Sequence, residues 1–179
     1  MQQEEIVKAI MSSGCFKRGL FKLSSGRIST YYIDIRNIYS HPKELKLIVS
    51  ELAKNISERF QFDAICGIAT GGLPLASILS YILSKPFIYV RKVKKEYGTT
   101  KAIEGDYRKG WNVIIVDDVA TTGSSILRAI DYLTAEGINV LAAYVVVDRE
   151  EGAEKLLESR GVSLYSLLKI NYILKTLKG

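Results

Sequence analysis

Residues 113–125 read Val-Ile-Ile-Val-Asp-Asp-Val-Ala-Thr-Thr-Gly-Ser-Ser, and the run Ile-Leu-Arg-Ala-Ile-Asp-Tyr-Leu follows directly. Four apolar, mostly β-branched residues in a row leave no polar face, which predicts a strand buried on both sides. It ends in a carboxylate doublet, Asp117-Asp118, at a place where unpaired charge is costly. Thr121, Thr122, Gly123, Ser124 and Ser125 then gather hydroxyls and backbone N–H groups at the head of the next helix. The positive end of a helix suits a phosphate. An N-cap at Thr122 or Ser124 would account for one hydroxyl but not for the acidic pair.

Working outward, further apolar runs occur at 64–68 (Ala-Ile-Cys-Gly-Ile), 87–90 (Phe-Ile-Tyr-Val) and 140–147 (Val-Leu-Ala-Ala-Tyr-Val-Val-Val). Helical patterns separate them at 73–83, 124–136 and 150–160, and a last strand near 162–168 precedes a helix from about Asn171. This alternation predicts an α/β fold, a central, mainly parallel sheet flanked by helices. Ligands of such sheets bind beyond the carboxyl ends of the strands. The segments after Ile68, Val90, Val116 and Val147 are therefore the candidate site. Ahead of the core, Ile6, Val7, Ile10 and Met11 mark a short helix stopped near Gly14. Residues 21–36 read as a hairpin turning at Ser24-Ser25-Gly26, and Pro42 opens an amphipathic helix through Phe60. One domain over 1–179 is expected, with an N-terminal cap to about residue 40 and the α/β core from about 41 onward.

Composition narrows the function. The chain has 179 residues with 25 Lys+Arg against 19 Asp+Glu, a net charge of +6. No apolar run approaches the roughly 20 residues of a membrane span. The acidic start Met-Gln-Gln-Glu-Glu is unlike a signal peptide, so a cytoplasmic protein is expected. Cys15 and Cys66 stand alone, without the spacing of a disulfide framework or zinc ribbon. The positive surplus suits nucleic acid, anionic lipid or a phosphorylated substrate. Residues 91–109 hold seven cations and three anions, +4 of the total, in a basic stretch after the strand at 87–90.

Two familiar phosphate loops are absent. Gly105–Gly110 begins like a P-loop, but Trp111 stands where Lys is required, and no strand is followed by GxGxxG. Thr70-Gly71-Gly72 instead follows the strand at 64–68, and adjacent glycines let backbone approach an anion closely. His41, the single histidine, is read as a surface or capping residue and Trp111 as a packing one.

Residues 113–125 resemble the thirteen-residue phosphoribosyl diphosphate (PRPP) motif of type I phosphoribosyltransferases. The resemblance implies that Asp117 and Asp118 face the ribose. It implies equally that Val119, Ala120, Thr121, Thr122, Gly123, Ser124 and Ser125 surround the 5′-phosphate, and that Thr70, Gly71 and Gly72 hold the pyrophosphate. The basic stretch is similar to the catalytic loop of orotate phosphoribosyltransferases, which assigns Arg91, Lys92 and Lys95 to the diphosphate. Residues 21–34 resemble that family's N-terminal hood, and Val147-Asp148-Arg149-Glu150 resembles its orotate segment. Ser24, Thr121 and Arg149 are thereby expected at orotate. Ser24 stands where many members carry Lys, and Tyr97 where His is common.

The implied activity is transfer of phosphoribose from PRPP to orotate, giving orotidine 5′-monophosphate and pyrophosphate on the route to UMP. The implied cofactor is Mg²⁺, held mainly by substrate oxygens near Asp117 and Asp118, with no direct protein ligand set. A homodimer with shared sites is expected, and neither a membrane nor a nucleic-acid partner. The alternatives are a PRPP-sensing nucleic-acid-binding regulator of the same fold and a purine phosphoribosyltransferase. Without the resemblance, Arg149 reads as a helix-start ion pair with Glu150 or Glu151.

Overall fold

The computed structural model describes residues 2–22, 28–92 and 102–177. The N-terminal part carries α1 (Gln2–Ser12), an antiparallel pair β1 (Phe16–Lys22) and β2 (Ile28–Ile33), a 3-10 helix (Ile35–Ser40) and α2 (Pro42–Arg59). The core sheet follows with β3 (Ala64–Ile68), β4 (Phe87–Val90), β5 (Ile103–Glu104), β6 (Asn112–Ala120), β7 (Asn139–Asp148) and β8 (Ser163–Lys169). Between and after these strands lie α3 (Gly72–Leu83), α4 (Ser124–Ala135), α5 (Ala153–Glu158) and α6 (Ile170–Thr176). Spatial order is β5-β4-β3-β6-β7-β8, and every pairing is parallel except β4 with β5.

Successive strand residues face opposite sides, and both sides are dry. Ile65 and Ile114 pack with Ile48, Leu52 and Leu75 of α2 and α3. Cys66 and Ile115, their neighbours, pack with Ile126, Ala129 and Leu133 of α4. That is why the runs carry no polar alternation. Trp111 packs against the second of these clusters, as expected of a residue leading into a core strand. Among the described residues, no helix is long and apolar enough to cross a membrane.

Four boundaries differ from those the sequence suggests. Strand β6 does not stop at Val116. It continues through the acidic pair to Ala120, because Val119 and Ala120 still pair with Val147 and Asp148 of β7. Helix α5 starts at Ala153, since Glu150 (φ 55°) and Gly152 (φ 104°) are left-handed and cannot open a helix. The first arm of the hairpin begins at Phe16, with a register shift between Arg18 and Phe21, and its expected turn lies outside the described residues. The two-residue edge strand β5 had no periodic signal. Strand order reverses between β3 and β6, so their carboxyl ends open the crevice where such sheets bind ligands.

Candidate active site

Because Gly67 of β3 pairs with Val116 of β6, the loop after β3 lies against the acidic end of β6. Gly71 has ordinary right-handed angles (φ −65°, ψ −37°), so its conformation does not require glycine. Its surroundings do. A Cβ on Gly71 would lie 2.3 Å from Asp118 Oδ2, and one on Gly72 would lie 2.5 Å from the Val116 carbonyl oxygen and 2.9 Å from Asp117 Cα. The two glycines make room for the strand that bears the acids. The Ala69–Thr70 peptide before them is cis, and the Tyr39 hydroxyl, from the 3-10 helix, donates to the Gly71 carbonyl at 2.7 Å.

The two carboxylates differ in environment. Asp117 is buried, and its Oδ1 accepts the Asp118 N–H at 2.9 Å. Burial pushes its carboxyl well above the usual range, and the charge of Asp118 pushes the same way, while a hydrogen bond from Ser125 opposes them. Asp118 holds the Val119 N–H at 2.8 Å and lines the open cleft. One acid is structural and inward, the other presented. In the following loop Gly123 adopts φ 82° at the N-cap of α4, and the Thr122 and Ser124 hydroxyls bond each other at 2.8 Å without capping the helix.

These parts meet in a cleft of about 320 Å³. Thr70 and Gly71 enter it after β3, Lys92 after β4, Asp118 and Thr121 from the end of β6, and Arg149 after β7. Asp34 and Arg36 close it from the N-terminal side. Arg36 is held in a two-point fork by Asp34 (Nε to Oδ1 2.6 Å, Nη2 to Oδ2 2.7 Å), which pulls the Asp34 carboxyl below its ordinary value. Arg149 pairs with Glu151 at 2.8 Å and lies over the Tyr31 ring, 5.6 Å from its centre. The ion pair is thus real, yet among the described residues the buried Nε of Arg149 has no hydrogen-bond partner. Arg149 as a whole lines the cleft, where its planar guanidinium suits a carboxylate or ring carbonyl.

A family model of the phosphoribosyl transferase domain matches residues 34–164. The orotate phosphoribosyltransferase of Pyrococcus abyssi is 44% identical over 171 residues, 94% of this chain and 93% of that protein. The chain belongs to the orotate phosphoribosyltransferase family. The crystal structure of the Aeropyrum pernix orotate phosphoribosyltransferase superposes with a TM-score of 0.89 at 42% identity, covering 97% of this chain and 98% of that one. That of Mycobacterium tuberculosis orotate phosphoribosyltransferase in complex with PRPP gives 0.77 at 25% identity, over 97% and 99% of the two chains.

In this orotate phosphoribosyltransferase family member, Thr70, Gly71, Lys92, Asp118, Val119, Thr121 and Arg149 of the expected site residues line the cleft, whereas the buried Asp117 and Gly72, and Ala120, Thr122, Gly123, Ser124 and Ser125, do not. Arg91 turns its guanidinium to Glu104 of β5, and its backbone N–H bonds the Ala102 carbonyl at 2.9 Å, so it does not line the cleft. Ser24, Lys95 and Tyr97 lie outside the described residues. Arg36 and Tyr39 are additions that sequence reading missed. Asp34-x-Arg36 was a local opposite-charge pair, and so a readable hint. Tyr39 carried none, because its partner is 32 residues away.

Proposed function

We propose that this protein transfers the 5-phosphoribosyl group of PRPP to orotate, releasing pyrophosphate and orotidine 5′-monophosphate in UMP biosynthesis. The observation that carries the reading is the cleft at the sheet's switch point, where the presented Asp118, the glycine loop, Lys92 and the unsatisfied Arg149 converge. Relatives of the same name matching nearly the whole chain, and the PRPP complex of one of them, support it.

In this reading Asp118, with Asp117 behind it, orients the ribose hydroxyls. The 5′-phosphate sits against Val119–Ser125, from the end of β6 to the start of α4. Thr70, Gly71 and Gly72 hold the pyrophosphate together with Lys92, Lys95 and Arg91. Arg91 reaches it by exchanging Glu104 for the more highly charged ligand. Thr121, Arg149 and Ser24 hold orotate, with the guanidinium of Arg149 donating to it. A ring nitrogen of orotate forms the new bond at the anomeric carbon as the bond to pyrophosphate breaks. The transition state carries oxocarbenium character, and no protein nucleophile takes part. The protein's share is alignment and cationic stabilisation of the leaving group.

Mg²⁺ fits this site only as a companion of the substrate. Among the described residues no group of three His, Cys, Asp or Glu could hold a metal, and Asp118 is the one carboxylate of the pair facing the cleft. The ion would be held by Asp118 and substrate oxygens, and would neutralise the leaving group. The protein acts as a cytoplasmic homodimer, residues 1–40 forming a hood over the core at 41–179. Exposed Leu20 and Tyr81 (80% and 87%) provide apolar surface for such a pairing.

The test is purified protein with PRPP and Mg²⁺, offered orotate, uracil, adenine, hypoxanthine and guanine separately. Loss of orotate absorbance with release of pyrophosphate is expected for orotate alone. Turnover of a purine, or no turnover together with salt-sensitive DNA binding, would replace this reading with one of its alternatives. Light scattering should give twice the chain mass.

A further inference from the structure

The pyrophosphate loop has a weakness built into it. Gly71 and Gly72 admit the acidic strand only because they lack Cβ atoms, and the same lack leaves the peptide between them without side-chain restraint. That peptide is trans, the cis bond among the described residues being Ala69–Thr70, so its C=O and N–H point in opposite directions. Turned one way it offers an N–H to an anion. Turned the other way, at the expense of the first bond of α3, which the N-cap carbonyl accepts, it offers a carbonyl oxygen, which repels one. Gly72 is also the first residue of α3, where the backbone N–H has no acceptor within the helix.

We infer that Tyr39 is the positioning residue of this loop: its hydroxyl captures the Gly71 carbonyl and thereby holds the Gly71–Gly72 peptide in its anion-accepting orientation. The inference rests on the proposed role of the loop in holding pyrophosphate. The contact is short, 2.7 Å, and is made from a half-buried ring packed against the main apolar cluster. The ring belongs to the 3-10 helix Ile35–Ser40, whose N-cap Asp34 and first-turn Arg36 line the cleft. One turn of backbone therefore faces the cleft with Arg36 and locks the loop with Tyr39. Burial, with Asp118 and Asp117 nearby, raises the Tyr39 phenol far above its ordinary value. The hydroxyl accordingly stays a donor throughout the working pH range. Tyr39 touches no substrate; it acts through the loop.

Tyr39→Phe keeps the ring and its packing and deletes only the donor. Two ligands separate the effects by calorimetry: inorganic pyrophosphate with Mg²⁺, which needs the loop, and orotidine 5′-monophosphate, which needs the phosphate loop and the orotate site. The expected result is a fall of about fivefold in pyrophosphate affinity, the size of one lost neutral hydrogen bond. Affinity for orotidine 5′-monophosphate should stay within twofold, and the melting temperature should fall by no more than a few degrees. In turnover, KM for PRPP should rise while KM for orotate holds. Wild-type affinity for pyrophosphate in the variant would overturn the inference. So would equal loss of both ligands or failure to fold, which would make Tyr39 merely structural. Failure of the wild-type protein to bind either ligand would instead strike the proposed function itself.

Discussion

Two strand-to-helix junctions meet at the switch point, and each carries glycine for its own reason. At β3–α3, Gly71 has right-handed angles that any residue tolerates, and Gly72 has no left-handed φ. Both are required by what lies beside them, the Asp118 carboxylate and the backbone of β6. At β6–α4, Gly123 has φ 82°, a conformation that L side chains rarely adopt. The first junction is defined by space and the second by backbone geometry. A space-defined loop gains close approach but lacks a restraint in its own φ, so the start of α3 and the Tyr39 hydroxyl supply one from outside. A geometry-defined loop carries its restraint within its own φ.

Alanine substitutions break this contrast in graded fashion. Gly72→Ala drives a methyl into the Val116 carbonyl and the Asp117 Cα, neither of which can move without moving the sheet. A loss of about 3 kcal/mol in denaturant unfolding is expected, at the upper end for overpacking. Gly123→Ala should cost about 2 kcal/mol, the sum of a left-handed alanine and a tight approach, 3.0 Å, to Ala153 Cα. A loss from Gly123→Ala larger than that from Gly72→Ala would reverse the comparison.

Asp117→Asn sharpens it from the acidic side. Asp117 has its folded pKa raised, chiefly by burial, so above the unfolded value near 4 the folded state binds more proton than the unfolded state. Its contribution is therefore greatest in acid and is lost as pH rises toward the folded pKa. The Asn variant, neutral throughout, should match wild type near pH 4 and exceed it by about 1 kcal/mol at pH 5. A variant less stable than wild type at pH 5 would show that the burial argument is wrong. Gly71→Ala has the smallest effect on stability, at most about 1 kcal/mol, because the group it strikes is a side-chain carboxylate able to rotate away from Val119. Since that carboxylate is Asp118, kcat/KM for PRPP should nevertheless fall about tenfold.

The strands and most helices were legible because each apolar run of 64–68, 87–90, 113–116 and 140–147 is short, unbroken and bounded by turn residues. The acidic pair and the hydroxyl loop were legible as chemistry out of place in a buried strand end. Their division of labour was not. That Asp117 faces inward and Asp118 outward depends on two further strand residues pairing with β7, a long-range ladder that local pattern does not encode. Glycine was read as a means of approaching an anion; its steric cause, the acids of another strand, became visible only when β3 lay beside β6. The over-long α5 shows the limit of periodicity, since a left-handed Glu150 has no signature in composition.

The bond from the Arg91 amide to the Ala102 carbonyl, reinforced by the Arg91–Glu104 pair, closes the neck of the chain between β4 and β5. The ends of β4 and β5 are thereby fixed to each other by residues that flank the segment 93–101. Residues 91–109, which include the neck, hold +4 of the net charge of +6. The edge of the sheet is thus sealed by its own residues, independently of the sequence that joins its two last strands.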